Sequence, residues 1–164
     1  MNAVDVLENG QQTVLQTLAE FPAAGVDTPG ACGAWSVKDI IAHLASYEQV
    51  LVDVLSTLIG RHPTPSLDKF AELGVQFNDT EVGRRKGRTM REVLDEFHDA
   101  YAQVMELAAK ISPERFRHSG ILPWYGMEYD LNDFIIYRFY GHKREHSAQI
   151  AAFHDLLRRG SSLL

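Results

Sequence analysis

Trp35-Ser36-Val37-Lys38-Asp39-Ile40-Ile41-Ala42-His43-Leu44 is the stretch whose reading decides the fold. Ser36 reads as a helix N-cap, because its hydroxyl can accept a hydrogen bond from a free first-turn amide. Asp39, three residues on, suits the positive end of a helix. From there Ile40, His43, Leu44, Tyr47, Leu51, Val54, Leu55 and Leu58 recur at helical spacing. The pattern predicts a helix to about Ile59, closed by Gly60 and Pro63. Its apolar stripe contains a histidine, and one buried stripe needs other helices to cover it.

Those helices are legible on both sides. Upstream, Pro22, Gly25, Pro29, Gly30 and Gly33 mark a loop. Before it, Val4, Leu7, Val14, Leu15 and Leu18 predict a helix over Val4 to Phe21, which Gly10 weakens without ending. Downstream of Pro63 and Pro65, Ser66 is expected to cap a weaker helix reaching roughly Glu81. Thr89 and Glu92 form a capping box, each side chain bonding the other's free amide. The helix they start, with Val93, Leu94, Phe97, Tyr101, Val104, Met105 and Leu107 inward, is expected to reach about Lys110. Ser112-Pro113-Glu114 begins a short turn, and Gly120 to Tyr129 is a loop rich in aromatics. Asp130 caps a last helix from Leu131 to about Arg159, ended by Gly160. No segment alternates at period two. The expectation is an all-α chain, four main helices and one accessory helix, as a single domain over 1–164.

The bulk numbers agree. The chain has 164 residues, within the range of one domain, and 45% apolar residues supply a core. A formal net charge of −6 argues against an electrostatic grip on nucleic acid or anionic membrane. The single cysteine, Cys32, cannot form an intramolecular disulfide and fits a reducing compartment. No apolar run approaches the roughly 18 residues of a membrane span. Met1 to Gly10, with Asp5 and Glu8, lacks the basic-then-apolar pattern of a signal peptide. A soluble cytoplasmic protein is expected.

Seven histidines are present, and three stand apart. His142 and His146 lie four residues apart, which puts both imidazoles on one helix face, one turn from each other. Ile135, Phe139, Gln149 and Phe153 share that face, so the pair points inward. His43 lies between Ile40 and Tyr47 on the other apolar stripe. Taken alone, His43 also reads as a hydrogen-bonded core residue. If the three meet, three neutral imidazoles suit zinc, nickel or iron and leave positions open for water or substrate. His142-Lys143-Arg144-Glu145-His146 also matches the H-x-x-E-H pattern of inverzincin proteases. That reading is set aside: the 18 residues after His146 contain no glutamate ligand. Glu145 is also rotated about 100° from His146 on a helix.

Two segments together resemble the DinB-like (DinB/YfiT-like) superfamily of metalloenzymes. Trp35 to Leu44 is similar to its W-S-x-x-[DE]-x-x-x-H-[LI] segment. Gly141-His142-Lys143-Arg144-Glu145-His146-Ser147-Ala148-Gln149-Ile150 is similar to its H-x-x-x-H segment. The resemblance implies a four-helix bundle, often a homodimer. It also implies a divalent metal, zinc or nickel first and iron next, held by His43, His142 and His146. It promotes His43 from core residue to third ligand. Characterised relatives use a low-molecular-weight thiol as transferases or isomerases, or are proposed hydrolases, so the resemblance leaves the substrate open.

Other residues have two readings each. Tyr47 and Gln149, one turn from ligand positions, either orient imidazoles and substrate or simply pack. Trp124 and Tyr125 either rim a substrate pocket or cover the bundle end with one polar edge wet. Arg84, Arg85, Lys86, Arg88 and Arg91 either hold an anionic substrate or form a solvated turn. Cys32 has no local base to activate it and reads as incidental. The leading expectation is a metal-dependent thiol S-transferase or hydrolase acting on a small molecule. The alternative is a non-catalytic bundle that binds a small molecule or a partner, with or without a structural metal.

Overall fold

The computed structural model describes residues 2–161. Among them there is no strand, only one backbone bridge between Cys32 and Trp35. Four long helices carry the architecture: α1 (Ala3–Glu20), α2 (Val37–Leu58), α5 (Met90–Ala108) and α8 (Gly141–Ser161). The shorter α3 (Pro65–Leu73), α4 (Phe77–Arg84), α6 (Pro113–Phe116) and α7 (Leu131–Ile135) fill the connections. α2 packs along α5, and α1 along α8, with α3 and α4 laid against α2. No helix among the described residues is long and apolar enough to cross a membrane.

The caps show why the helices start where they do. Ser36 Oγ accepts from the Asp39 amide, and the Asp39 carboxylate accepts from the Ser36 amide, a full capping box. Thr89 with Glu92 and Asp130 with Asp133 repeat it on α5 and α7. α2 ends on Gly60 at φ +73°, with the Arg61 amide bonded to Ser56 O and the Gly60 amide to Thr57 O. This is a Schellman ending, for which a glycine spares the left-handed strain.

Three sequence expectations change. Ser66 does not cap α3. Pro65 takes the first helical position, and the Asp53 carboxylate, reaching across from α2, accepts from the Ser66 and Leu67 amides at 2.6 and 3.0 Å. The accessory helix is also not continuous to Glu81. Gly74 adopts φ +51°, a short 3-10 turn follows (Gly74–Gln76), and α4 begins at Phe77. There are thus more short helices than the single one expected. Finally, the last helix is one rod from Leu131 through Gly160 to Ser161, interrupted by a π-helical segment, Ile136–Tyr140.

The core is divided. One apolar cluster gathers Leu51, Val54, Leu55, Leu131 and Ile135; the other gathers Ile40, Ile41, Leu44, Phe97 and Ile150. Each such side chain contributes about 1.5–3 kcal/mol when fully buried. Where the clusters meet, every helix of the α1, α2, α8 face turns polar. Gln11 lies between Leu7 and Val14 in α1, buried His43, Ser46 and Glu48 lie in α2, and buried Lys143, His146 and Ser147 lie in α8. A polar layer crosses the bundle at mid-height.

Candidate metal centre

In one part of that layer, the three singled-out histidines meet. His43 Nε2 lies 2.8 Å from His142 Nε2, and His146 Nε2 lies 2.9 Å from the same atom. The three ligand atoms fall within 4.8 Å of one another. Helical geometry explains half of this, since His142 and His146 are one turn apart on α8. The docking of α2 on α8 supplies the other half by setting the buried His43 ring edge-on to both, at 4.7 and 5.0 Å between centroids.

Each ring is held from outside. The Gln149 amide oxygen lies 2.8 Å from His146 Nδ1. An amide oxygen only accepts, so Nδ1 carries the proton and Nε2 presents its lone pair to the cluster. Trp35 packs on His43 at 5.0 Å and Tyr47 on His43 and His142 at 4.8 and 4.6 Å. The Tyr47 hydroxyl is not aimed at an imidazole; it donates to Asn78 Oδ1 at 3.2 Å. His43 Nδ1 has no hydrogen-bond partner among the described residues, although it is buried.

Electrostatics keep the three rings neutral. Burial, then the neighbouring His146, pushes His43 down to about 3. Burial, then His43, His146, Arg138 and Lys143, pushes His142 down to about 2. Burial also lowers His146, against the opposing pull of Gln149 and Glu145. Neutral imidazole is the form that ligates metals.

The arrangement fits a cation and poorly suits anything else. With His146 Nε2 carrying a lone pair, His142 Nε2 can donate to it or accept from His43, but not both. One nitrogen therefore faces a neighbour at 2.8 or 2.9 Å without a proton to share. An ion bonded to imidazole at about 2.0–2.1 Å engages all three lone pairs at once, with donor atoms roughly 3 Å apart. His43 Nδ1 then carries the ring proton, as a buried donor without an acceptor among the described residues.

Beside the histidines, two concavities share Tyr47 and Arg138. One, of about 240 Å³, is walled by Tyr47, Phe70, Trp124, Tyr125, Phe134 and Phe139. The other, shallower, is lined by Tyr47, Tyr137, Arg138, His142 and Glu145. Trp124 and Tyr125 pack on Phe134, at 5.6 and 4.9 Å, and Trp124 stays 55% exposed. They sit one cavity away from the imidazoles.

The basic stretch does not form an anion site. Arg85 is buried between Glu81 and Glu96, Arg88 pairs with Glu96, Lys86 with Asp39, Arg84 with Glu81. Cys32 is tied by backbone to Trp35 and stays a free thiol.

Several residues escaped the sequence reading. Asn78 had no signal, because its partner is 31 positions away. Glu48 did have one: it falls on the same side of α2 as Leu44, Leu51 and Leu55, where a charge demands a buried partner. Lys143 is that partner, 2.8 Å away. Arg138, alone in the aromatic run Phe134 to Tyr140, also carried a readable signal.

The family model described as mycothiol maleylpyruvate isomerase N-terminal domain matches residues 7–127. The matched span includes His43 and stops before His142 and His146. No curated protein and no solved structure matches the chain.

Proposed function

We propose, from the premise that this chain belongs to the mycothiol maleylpyruvate isomerase N-terminal domain family, within the DinB/YfiT-like superfamily, that it is a metal-dependent enzyme using a low-molecular-weight thiol on a small-molecule substrate. His43, His142 and His146 would hold one divalent ion, zinc or nickel. The observation that carries this reading is the convergence of three neutral Nε2 atoms with too few protons to satisfy one another. The family's name supports a mycothiol-type thiol as co-substrate, in transfer or isomerisation.

A divalent ion held there would supply Lewis acidity, lowering the pKa of a thiol or water that reaches it. The chain's own residues do the rest. Gln149 fixes the His146 tautomer and ring plane, as second-layer partners of metal ligands do. Burial keeps the imidazoles unprotonated through the physiological range. Trp35 and Tyr47, the latter anchored by Asn78, wall the rings and thin the water around them. The concavity lined by His142 offers an approach for a substrate.

Elemental analysis of protein purified without chelator tests the premise. Stoichiometric zinc or nickel is expected in the wild type and is lost in His43→Ala and His146→Ala. Zinc at a hundredfold excess over its Kd should stabilise the wild type by about 2.7 kcal/mol and neither variant. Metal-free protein whose melting temperature ignores added zinc and nickel rules the reading out. Loaded protein that turns over no thiol and electrophile pair would favour the non-catalytic bundle, and turnover by water alone would favour a hydrolase.

A further inference from the structure

We propose that the aromatic cavity beside the histidines binds a small, single-ring or similarly flat apolar molecule by its carboxylate, which Arg138 holds at the cavity's junction with His142.

The walls select the body of the ligand. Six aromatic rings contribute to the lining, together with Val50. At about 240 Å³ the space falls just below the roughly 300–1,000 Å³ of pockets that take drug-sized ligands, so a compact molecule fits it. Ring faces stack on flat apolar groups and offer them little hydrogen bonding.

Arg138 selects the head. It is the one charged residue of that lining. Other basic residues around the bundle have carboxylate partners: Arg85, Arg88, Lys38, Lys86 and Lys143 all do. Arg138 has no ion-pair partner among the described residues. An unpaired arginine in open solvent is commonplace, and Arg138 is itself exposed; its place is what distinguishes it. It lines both concavities, with His142 and Glu145 on the other side. It also sits in the π-helical segment Ile136–Tyr140, a distortion frequent at functional sites. A guanidinium presents a planar fork that matches a carboxylate with two parallel hydrogen bonds. A carboxylate there puts the neighbouring carbon atoms of the ligand beside the opening over His142.

This rests on the reading of the histidines as a reaction centre only for the purpose of binding; the binding itself requires no metal. The test is therefore run on both chelator-stripped and zinc-loaded full-length protein. Phenylacetate and its neutral isostere phenylacetamide are titrated, with the Trp124 indole N–H signal as the local reporter. Phenylacetate should bind roughly tenfold more tightly than the amide, and both should move the Trp124 signal. Arg138→Gln should bring the acid down to the level of the amide, and Arg138→Lys should recover part of the preference. Because the residue is exposed, neither variant threatens folding. Equal affinities for acid and amide, a preference surviving Arg138→Gln, or binding that leaves the Trp124 signal still would each overturn the proposal. Preference in protein that takes up no added zinc would leave this inference standing while the metal reading fell. Loaded protein without the preference would do the reverse.

Discussion

The two ends of the polar layer solve one problem in opposite ways. On the α1 side, Lys143 is 1% exposed, and its ammonium meets Glu48 at 2.8 Å and Gln11 Oε1 at 3.2 Å. It also lies over the rings of Phe97 and Tyr101, at 5.3 and 5.2 Å. Around the histidines, neutral imidazole nitrogens crowd to 2.8 and 2.9 Å with too few protons to satisfy one another. The adjacent positions 142 and 143 thus point to different clusters, one that brings its own positive charge and one that lacks it. Buried acceptors without a donor are costly. The difference teaches that polarity in this core is not uniform filler: one cluster pairs its charges within the chain, although Gln11 Nε2 and Glu48 Oε2 find no partner among the described residues, and the other crowds neutral nitrogens in an arrangement that suits a cation.

The largest expected effect breaks the self-contained side. Lys143→Met leaves the Glu48 carboxylate buried and uncompensated, which costs about 3–5 kcal/mol. Urea denaturation of metal-stripped protein measures it. Lys143→Met with Glu48→Leu should recover most of the loss, because an apolar pair of similar volume replaces a buried ion pair at little cost. In the same metal-stripped background His142→Leu should cost less than about 1 kcal/mol, since it removes a crowded acceptor. Equal losses at positions 142 and 143 would erase the contrast.

A middle-sized effect sharpens the other side. Gln149→Leu removes the acceptor that fixes the His146 tautomer, so zinc affinity should fall about 10- to 100-fold, with less change in metal-free stability. Competition with a chromophoric chelator reads the affinity. Undiminished affinity would mean that Gln149 only packs.

The smallest effect calibrates both against a half-exposed pair. Burial alone would raise the Asp39 carboxyl, but the Lys86 ammonium and the Ser36 amide outweigh it and hold it below its ordinary value of 3.8. A depressed carboxyl contributes stability that is full above the unfolded value and lost as pH falls through the folded one. Lys86→Met should therefore cost no more than about 1 kcal/mol near neutral pH. The difference from wild type should shrink as the pH drops below 3.8. Thermal melts across that range decide it, and a difference that widens in acid contradicts the pairing.

Much of this molecule was readable before any coordinates. Ser36, Thr89 and Asp130 marked helix starts because a cap is satisfied within three residues of itself. His142 and His146 shared a face because four residues make about one helical turn. Gln149, three residues after His146, reached its ring for the same reason. The α3 cap is not legible locally because its acceptor, Asp53, comes from another helix, and the basic stretch is ambiguous in sequence because Glu96 and Asp39 reach it only through the fold.

By itself, then, the sequence determined the four long helices, the caps at Ser36, Thr89 and Asp130, and the inward histidine pair, all set by forces acting over one or two turns. Only the tertiary structure decided that His43 meets that pair, that Lys143 is buried against Glu48, and that Arg138 lines two concavities without an ion-pair partner among the described residues. Those facts depend on how α2 and α1 dock on α8. Docking is set by the summed packing of many side chains, which no short stretch of sequence contains.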